Sequence, residues 1–167
     1  HGMVSFKSEF PNQHPMAASV SDELAERLTL LQRRVVDEQK QVLVIFEGRS
    51  GRVMGRVINE FMNLLEPRGM GYTHFIPESI DSPREMLRYI SREPAKGKIG
   101  IYDRSWYSWL VATANKGDDI GENVATAMGL ERYLCNNGVI MVKIFLNMSD
   151  EVLDSLAKTY GAKSKKS

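Results

Sequence analysis

The chain has 167 residues, of which 43% are hydrophobic, enough for one substantial core and too few for two ordinary domains. Its 22 basic residues are balanced by 21 acidic ones, so the composition does not indicate a nucleic-acid-binding or membrane-surface protein. The single cysteine, Cys135, excludes an internal disulfide framework and fits a cytoplasmic location. No apolar run approaches the roughly 20 residues that span a bilayer, and the N-terminus lacks a signal-peptide pattern.

The predicted organisation is one domain between two unstructured ends. Residues 1–20 lack sustained periodicity and are expected to form a flexible arm, in which residues 1–2 resemble a tag remnant. The domain is predicted over residues 21–160, and the basic residues 161–167 are expected to be a disordered tail.

The domain begins with a predicted amphipathic helix that ends at about Glu38. Ser21 or Asp22 is expected to be its N-cap. Residues 41–46 then form a short apolar run with the pattern of a strand buried on both faces of a parallel sheet.

Helices and strands alternate through the rest of the chain. Further helices are predicted over 54–65, over 83–91, from about Trp106, over 122–136 and over 150–160, and further strands over 72–76, 98–102 and 139–146. This alternation favours right-handed crossovers and a doubly wound, mainly parallel sheet. Ligands are expected beyond the carboxyl ends of its strands.

A glycine-bracketed turn, Gly48 to Gly55, lies between the first buried strand and the next helix. A phosphate-binding loop, G-x-x-x-x-G-K-[ST], has this order, and it wraps phosphates with backbone N–H groups, a lysine and a magnesium-binding hydroxyl. Here Val53, Met54 and Gly55 stand in place of the second glycine, the lysine and the hydroxyl residue. The sequence therefore predicts a three-layer α/β/α, P-loop NTPase-like fold with a chemically depleted loop.

Arginines supply positive charge near this turn. Arg49, Arg52 and Arg56 would partly replace the lysine, because guanidinium binds phosphate well, although it does not reproduce the placement of a lysine ammonium. The predicted phosphate- or nucleotide-binding residues of the turn are Gly48, Arg49, Ser50, Gly51, Arg52, Gly55 and Arg56.

Asp103 follows the predicted strand 98–102 directly. A carboxylate at this end of a buried strand is where a Walker B aspartate holds magnesium beside the phosphates, and Arg104 comes next. Both are predicted to be catalytic if the chain is active, with Asp103 as the magnesium ligand. The alternative is that Asp103 caps the following helix and Arg104 lies on the surface.

Other chemically notable side chains are interpreted as structural. Trp106 and Tyr107 are expected to pack in the core rather than stack on a base. His74 has no ligand partner at metal spacing in the sequence, and Cys135 is expected to be a small buried hydrophobe within a helix.

Four stretches resemble a known family: VLVIFEGRSG at 42–51, LLEPRGMG at 64–71, GKIGIYDRSWY at 97–107 and LERYLCNNGVIMVKIFLNMSDE at 130–151. With them the chain resembles the polyphosphate kinase 2 family. The family's P-loop phosphotransferases move phosphoryl groups between inorganic polyphosphate and nucleoside mono- or diphosphates with magnesium. The DRSWY string is highly specific.

The resemblance implies roles for residues outside the loop. Asp103 and Arg104 match the family's Walker B pair, Arg68 matches the arginine of its P-R-G motif, and Arg88 matches an arginine in the helix before the Walker B strand. The family's loop, G-x-D-x-x-G-K, has lost its acid, its second glycine and its lysine here. Active members continue into a basic helical lid, which is expected to begin at about Ser167.

The resemblance also implies Mg²⁺ as cofactor, polyphosphate, ATP, ADP or AMP as ligand, and a homodimer or higher oligomer. Three hypotheses remain. The favoured one is a degenerate domain that retains phosphate or nucleotide binding, or subunit association. The second is an active magnesium-dependent phosphotransferase in which arginines replace the lysine and a partner chain supplies the lid. The third is a structural dimerisation protein without a ligand.

Overall fold

The computed structural model describes residues 16–49, 51–76, 84–117, 119–147, 149, 151 and 158, without the side chains of residues 16–21. The described elements are, in chain order, α1 (Met16–Asp37), β1 (Gln41–Gly48), α2 (Gly51–Asn63), β2 (Met70–His74), α3 (Arg84–Ile90), β3 (Lys98–Asp103), α4 (Trp106–Asn115), α5 (Ile120–Asn136) and β4 (Val139–Leu146). A short 3-10 helix, Pro67–Gly69, precedes β2.

The four described strands form one parallel sheet in the order β2-β3-β1-β4. Phe46 on β1 pairs with Asp103 on β3 and with Ile144 on β4, and His74 on β2 also pairs with Asp103. The strands therefore end at the same side of the sheet, which we call the carboxyl edge. Helices pack on both faces of this sheet, so the predicted three-layer α/β/α fold is confirmed.

β1 is buried on both faces, as its continuous apolar run predicts. Leu43 and Ile45 belong to the cluster that α3, α4 and α5 cover, whereas Val44 and Phe46 belong to the cluster beneath α1 and α2. Trp106 is fully buried in the first cluster, which confirms its predicted packing role. The central strand thus joins two apolar cores and fixes the position of the loop that follows it.

Several element boundaries differ from the sequence predictions. α1 begins at Met16, so Ser21 and Asp22 lie inside the helix and their predicted capping role is wrong. The added turn is rich in alanine and contains no proline or glycine, so nothing in it interrupts a helix. β2 begins two residues early, at Met70, directly after the 3-10 helix, and α2 begins three residues early, at Gly51.

Some predictions fall on residues that the structure does not describe. They are the arm before Met16, the basic tail 161–167 and most of the helix 150–160, of which Glu151 and Lys158 are described and helical. No helix in the described part of the chain is long and apolar enough to cross a membrane.

Cys135 on α5 is exposed, so the prediction of a buried cysteine is wrong. The buried face of this helix is formed instead by Ala127, Leu130 and Leu134, which recur at three- and four-residue spacing. Cys135 follows Leu134 directly and points to a different side of the helix.

Gln32 connects α1 to the turn before β2. Its buried amide donates to the carbonyl oxygen of Glu66 at 2.9 Å and accepts from the Glu66 N–H at 2.7 Å. Gly69 leaves room for this contact, since a Cβ there would lie 2.4 Å from Gln32 Nε2.

We expect Gln32→Ala to lower the free energy of unfolding by about 1–2 kcal/mol, because two backbone groups of Glu66 lose their partner. Urea unfolding measures the loss. Glu26→Ala, at an exposed position of the same helix, is the matched control and is expected to change little. Equal stability of the two variants would contradict the connecting role of Gln32.

Candidate functional site

The turn between β1 and α2 lies at the carboxyl edge, where a phosphate-binding loop is expected. Gly48 ends β1 against β4, and a Cβ there would lie 3.0 Å from the carbonyl oxygen of Leu146, so a side chain would crowd this approach. The side chains of Arg49, Arg52 and Arg56 are exposed around the turn. Ser50, another predicted residue of the turn, lies outside the described residues.

Met54, at the position of the lysine, does not face the turn. Its side chain is 1% exposed and belongs to the apolar cluster beneath α1 and α2, together with Phe46 and Ile58. Gly55, at the position of the hydroxyl residue, has open space where a Cβ would lie and brings no side-chain oxygen. The lysine position of this chain is therefore part of the core.

Asp103 lies at the end of β3, as predicted, and is buried. Its Oδ2 accepts a hydrogen bond from the Tyr72 hydroxyl at 2.7 Å and lies 3.0 Å from His74 Nδ1. Burial, and then the hydrogen bond to Asp103, raise the pKa of Tyr72 to about 12, so its hydroxyl stays protonated at neutral pH. Tyr72 and His74 reach Asp103 because parallel pairing places alternate residues of β2 and β3 on one face.

Arg104 lies across the mouth of the turn. Its backbone has a φ of 70°, which is unusual for a residue other than glycine, and its N–H donates to the carbonyl oxygen of Phe46 at 3.0 Å. Its guanidinium donates to the carbonyl oxygen of Gly48 and lies 3.8 Å from a carboxylate oxygen of Glu47. The predicted alternative of a plain surface arginine is therefore wrong.

Glu47 is a buried carboxylate that is absent from the sequence predictions. It accepts hydrogen bonds from the Ser105 and Ser108 hydroxyls, each at 2.7 Å, and from the Ser108 backbone N–H at 3.2 Å. Ser105 is the N-cap of α4, so Glu47 joins the end of β1 to the start of that helix. The available signal was that Glu47 is the one charged residue in the apolar run 41–48.

The two arginines assigned by family resemblance lie at different ends of the sheet. Arg88 on α3 donates to the carbonyl oxygen of Ile76 at 3.0 Å, just beyond the carboxyl end of β2, and also pairs with Glu85. Arg68 lies in the 3-10 helix before β2, beside Lys98 at the opposite end of the sheet. The structure therefore does not bring Arg68 to the predicted loop.

A second polar cluster joins α4, α5 and β4 through Tyr107, Glu131 and Lys143. Lys143 Nζ lies 2.7 Å from both the Tyr107 hydroxyl and Glu131 Oε2, and the Tyr107 hydroxyl donates to Glu131 Oε1. Burial alone would raise the pKa of Glu131, but hydrogen bonds from Lys143, Tyr107 and Trp106 together hold it below its ordinary value. Burial alone would lower the pKa of Lys143, but its bonds to Glu131 and Tyr107 raise it.

These pKa shifts predict a pH-dependent contribution to stability. A lowered carboxyl pKa contributes stability that is fully present above the ordinary glutamate pKa and is lost as pH falls through the lower folded value. Because the pKa of Lys143 is raised, protonated Lys143 keeps its contribution to the free energy of unfolding until strongly alkaline pH. We therefore expect the stability difference between the natural chain and Lys143→Met to be constant near neutral pH and to shrink in acid.

Unfolding by urea at neutral and acidic pH tests this expectation. Lys40→Met, at an exposed lysine between α1 and β1, is the control and is expected to show no such pH dependence. A Lys143→Met difference that stays constant into acid would mean that the ion pair adds nothing to stability.

Magnesium in this fold family is held beside the phosphates, but the side chains at the carboxyl edge fit it poorly. Mg²⁺ needs roughly six oxygen ligands, of which one or two are protein carboxylates and others come from hydroxyls, phosphates and water. Asp103 and Glu47 are the described carboxylates nearest the turn, and both already accept hydrogen bonds. No cluster of three or more metal-binding side chains occurs among the described residues.

Comparison with known proteins decides the family. Residues 14–157 match the family model described as Polyphosphate kinase 2. The chain belongs to the polyphosphate kinase 2 family. It is 33% identical to ADP-polyphosphate phosphotransferase 2 of Rhizobium meliloti (strain 1021), over 77% of this chain and 44% of the relative. It is 30% identical to a GDP-polyphosphate phosphotransferase of Pseudomonas aeruginosa, over 77% of this chain and 38% of that relative.

The solved structures agree on the fold. The polyphosphate kinase 2 of Arthrobacter aurescens TC1 superimposes with a TM-score of 0.76 at 22% identity, covering 91% of this chain and 58% of that one. At this identity the likeness shows the fold alone. The match to the family model confirms the predicted resemblance to the family. The chain spans less than half the length of each of the two curated relatives named above.

Proposed function

We propose that this chain binds polyphosphate or a nucleotide at the carboxyl edge and does not transfer phosphoryl groups at a rate typical of kinases. The observation that carries the proposal is the burial of Met54, at 1% exposure, at the position where the family has its lysine. An ammonium in the loop would contact the charge that develops on a transferring phosphoryl group. In the oxyanion hole of a protease, losing one donor to developing charge raises the barrier by about 3–4 kcal/mol, which sets the scale of the effect.

Binding is supported by the charges that remain. Arg49, Arg52 and Arg56 are exposed around the turn, and Arg104 and Arg88 lie at the same edge of the sheet. α2 begins directly after the turn, so the N–H groups of its first turn point toward this edge, where they favour an anion. Asp103, Gly48 and Gly51 complete the proposed site.

The chemical class of ligand comes from the relatives. Their names state transfer between polyphosphate and ADP or GDP, so polyphosphate and nucleoside diphosphates are the first ligands to test, followed by ATP and AMP. Self-association and a cytoplasmic location are proposed from the family resemblance and from composition.

A thermal-shift titration of the purified chain with polyphosphate, ADP, GDP, ATP and AMP tests binding. A ligand at 100 times its dissociation constant stabilises the fold by about 2.7 kcal/mol. Each binder is then assayed for transfer. A shift without turnover supports the proposal, and turnover at a rate typical of kinases contradicts it. No thermal shift with any of the ligands would favour a structural protein. Light scattering would then measure its self-association.

An active phosphotransferase is the second candidate, because three arginine side chains are exposed around the turn. In that case Arg49, Arg52 or Arg56 replaces the lysine. Magnesium-dependent transfer that Asp103→Ala abolishes, and that Glu60→Ala on the exposed face of α2 leaves unchanged, would establish it.

A further inference from the structure

At the carboxyl edge, protein donors contact one oxygen of Asp103 and both oxygens of Glu47. Asp103 Oδ2 has two donors within reach, the Tyr72 hydroxyl at 2.7 Å and His74 Nδ1 at 3.0 Å. Both donors come from the neighbouring strand β2, and the Asp103 side chain is 9% exposed. A metal ion on this oxygen would have to displace both donors inside a site that water reaches poorly.

Glu47 is equally engaged. Its Oε1 accepts from the Ser105 hydroxyl and the Ser108 N–H, and its Oε2 accepts from the Ser108 hydroxyl. These bonds hold the start of α4, so releasing Glu47 to a metal would leave the Ser108 N–H in the first turn of that helix without its acceptor. Gly55 adds no hydroxyl oxygen on the other side of the turn.

The positive charge at this edge is instead carried by guanidinium groups. Arg49, Arg52 and Arg56 are exposed around the turn, and Arg104 lies at its mouth. Guanidinium binds phosphate oxygens through paired, charge-assisted hydrogen bonds. Magnesium bound to a di- or polyphosphate neutralises the same oxygens and therefore competes with these arginines.

We propose that this chain binds its phosphate ligand as the metal-free anion, and that magnesium weakens this binding. The proposal rests on the proposed function, since it concerns the same site. Asp103 then serves to position the Tyr72 and His74 side chains at the end of β2. Its contacts with them hold these side chains in place without a metal.

Binding of tripolyphosphate and of ADP is measured by isothermal titration calorimetry at constant ionic strength, once with a chelator and once with excess magnesium. We expect affinity to be about threefold or more higher in the chelator, since each retained phosphate charge strengthens the guanidinium contacts. Binding that requires magnesium overturns this proposal and leaves the proposed function intact. Absence of binding under both conditions overturns both.

A variant tests the part played by β2. Tyr72→Phe combined with His74→Ala removes both donors from Asp103, and both side chains are about half exposed, so the fold should persist. Electron paramagnetic resonance measures the affinity for Mn²⁺ in the presence of ADP. We expect the double variant with ADP to bind Mn²⁺ more tightly than ADP alone does. The natural chain with ADP should show no such gain over ADP alone. Adding Asp103→Asn should remove the gain.

The matched control is Tyr133→Phe, which removes the same hydroxyl from an exposed tyrosine on α5. It should behave like the natural chain in both measurements. If the natural chain and the double variant bind Mn²⁺ equally in the presence of ADP, the two donors do not exclude the metal and the proposal is overturned.

Discussion

Replacing Met54 with lysine is expected to destabilise the protein and not to create phosphoryl transfer. The Met54 side chain is buried with Phe46, Ile58 and Ile101 in the cluster beneath α1 and α2. A lysine there either places an ammonium among apolar groups or bends toward water and leaves the cluster poorly packed. We expect the free energy of unfolding at neutral pH to fall by about 3 kcal/mol.

Urea unfolding measures this loss, and a transfer assay with polyphosphate and ADP or GDP measures activity. Met54→Leu is the matched control, because it keeps an apolar side chain of similar volume and should cost less than about 1.5 kcal/mol. A Met54→Lys variant that is as stable as Met54→Leu and transfers phosphate would show that the side chain can face the turn. The proposed function would then have to be replaced by the active alternative.

Truncating Glu47 is expected to have an effect of similar size through a different mechanism. Glu47→Ala leaves the Ser105 and Ser108 hydroxyls and the Ser108 N–H without their buried acceptor, and it removes the carboxylate that lies 3.8 Å from the Arg104 guanidinium. Removing one partner from a buried, hydrogen-bonded charge costs about 3 kcal/mol or more. The loss should appear in urea unfolding as a lower midpoint with an unchanged slope.

Two further variants separate the causes. Glu47→Gln keeps one acceptor oxygen and should lose less stability than Glu47→Ala. Glu60→Ala, at an exposed glutamate on α2, should stay within about 0.5 kcal/mol of the natural chain. If Glu47→Ala is no less stable than Glu60→Ala, the hydrogen bonds at the start of α4 do not stabilise the fold.

The central strands β1 and β3 were readable from the sequence because burial on both faces requires an unbroken apolar run. The run 41–46 predicts β1, and the runs at 98–102 and 139–146 predict β3 and β4, all of which the structure contains. The prediction for β2 begins two residues late, since its burial is partial and Tyr72 and His74 on it are exposed. β4, the other outer strand of the described sheet, kept a readable apolar run although Ile140, Val142 and Phe145 on it are exposed.

The helix boundaries were less predictable because the start of a helix depends on the absence of helix-breaking residues, such as proline and glycine, as much as on a capping residue. α1 continues back to Met16 through residues that a helix tolerates, although Ser21 and Asp22 are good capping residues in isolation. Helix faces depend on neighbours too. Cys135 lies one residue beyond the buried Leu134, and its sequence surroundings alone did not reveal that it is exposed.

For the site, the sequence by itself determined the order of strand, glycine turn and helix, the acid at the end of β3 and the absence of the loop lysine. These are local features, each set by residue type and by distance along the chain. The tertiary structure alone decided that Met54 is buried, that Arg68 lies at the far end of the sheet, and that Asp103 meets Tyr72 and His74. Such facts depend on strand register and on the face that each helix presents, which bring together residues that are distant in sequence.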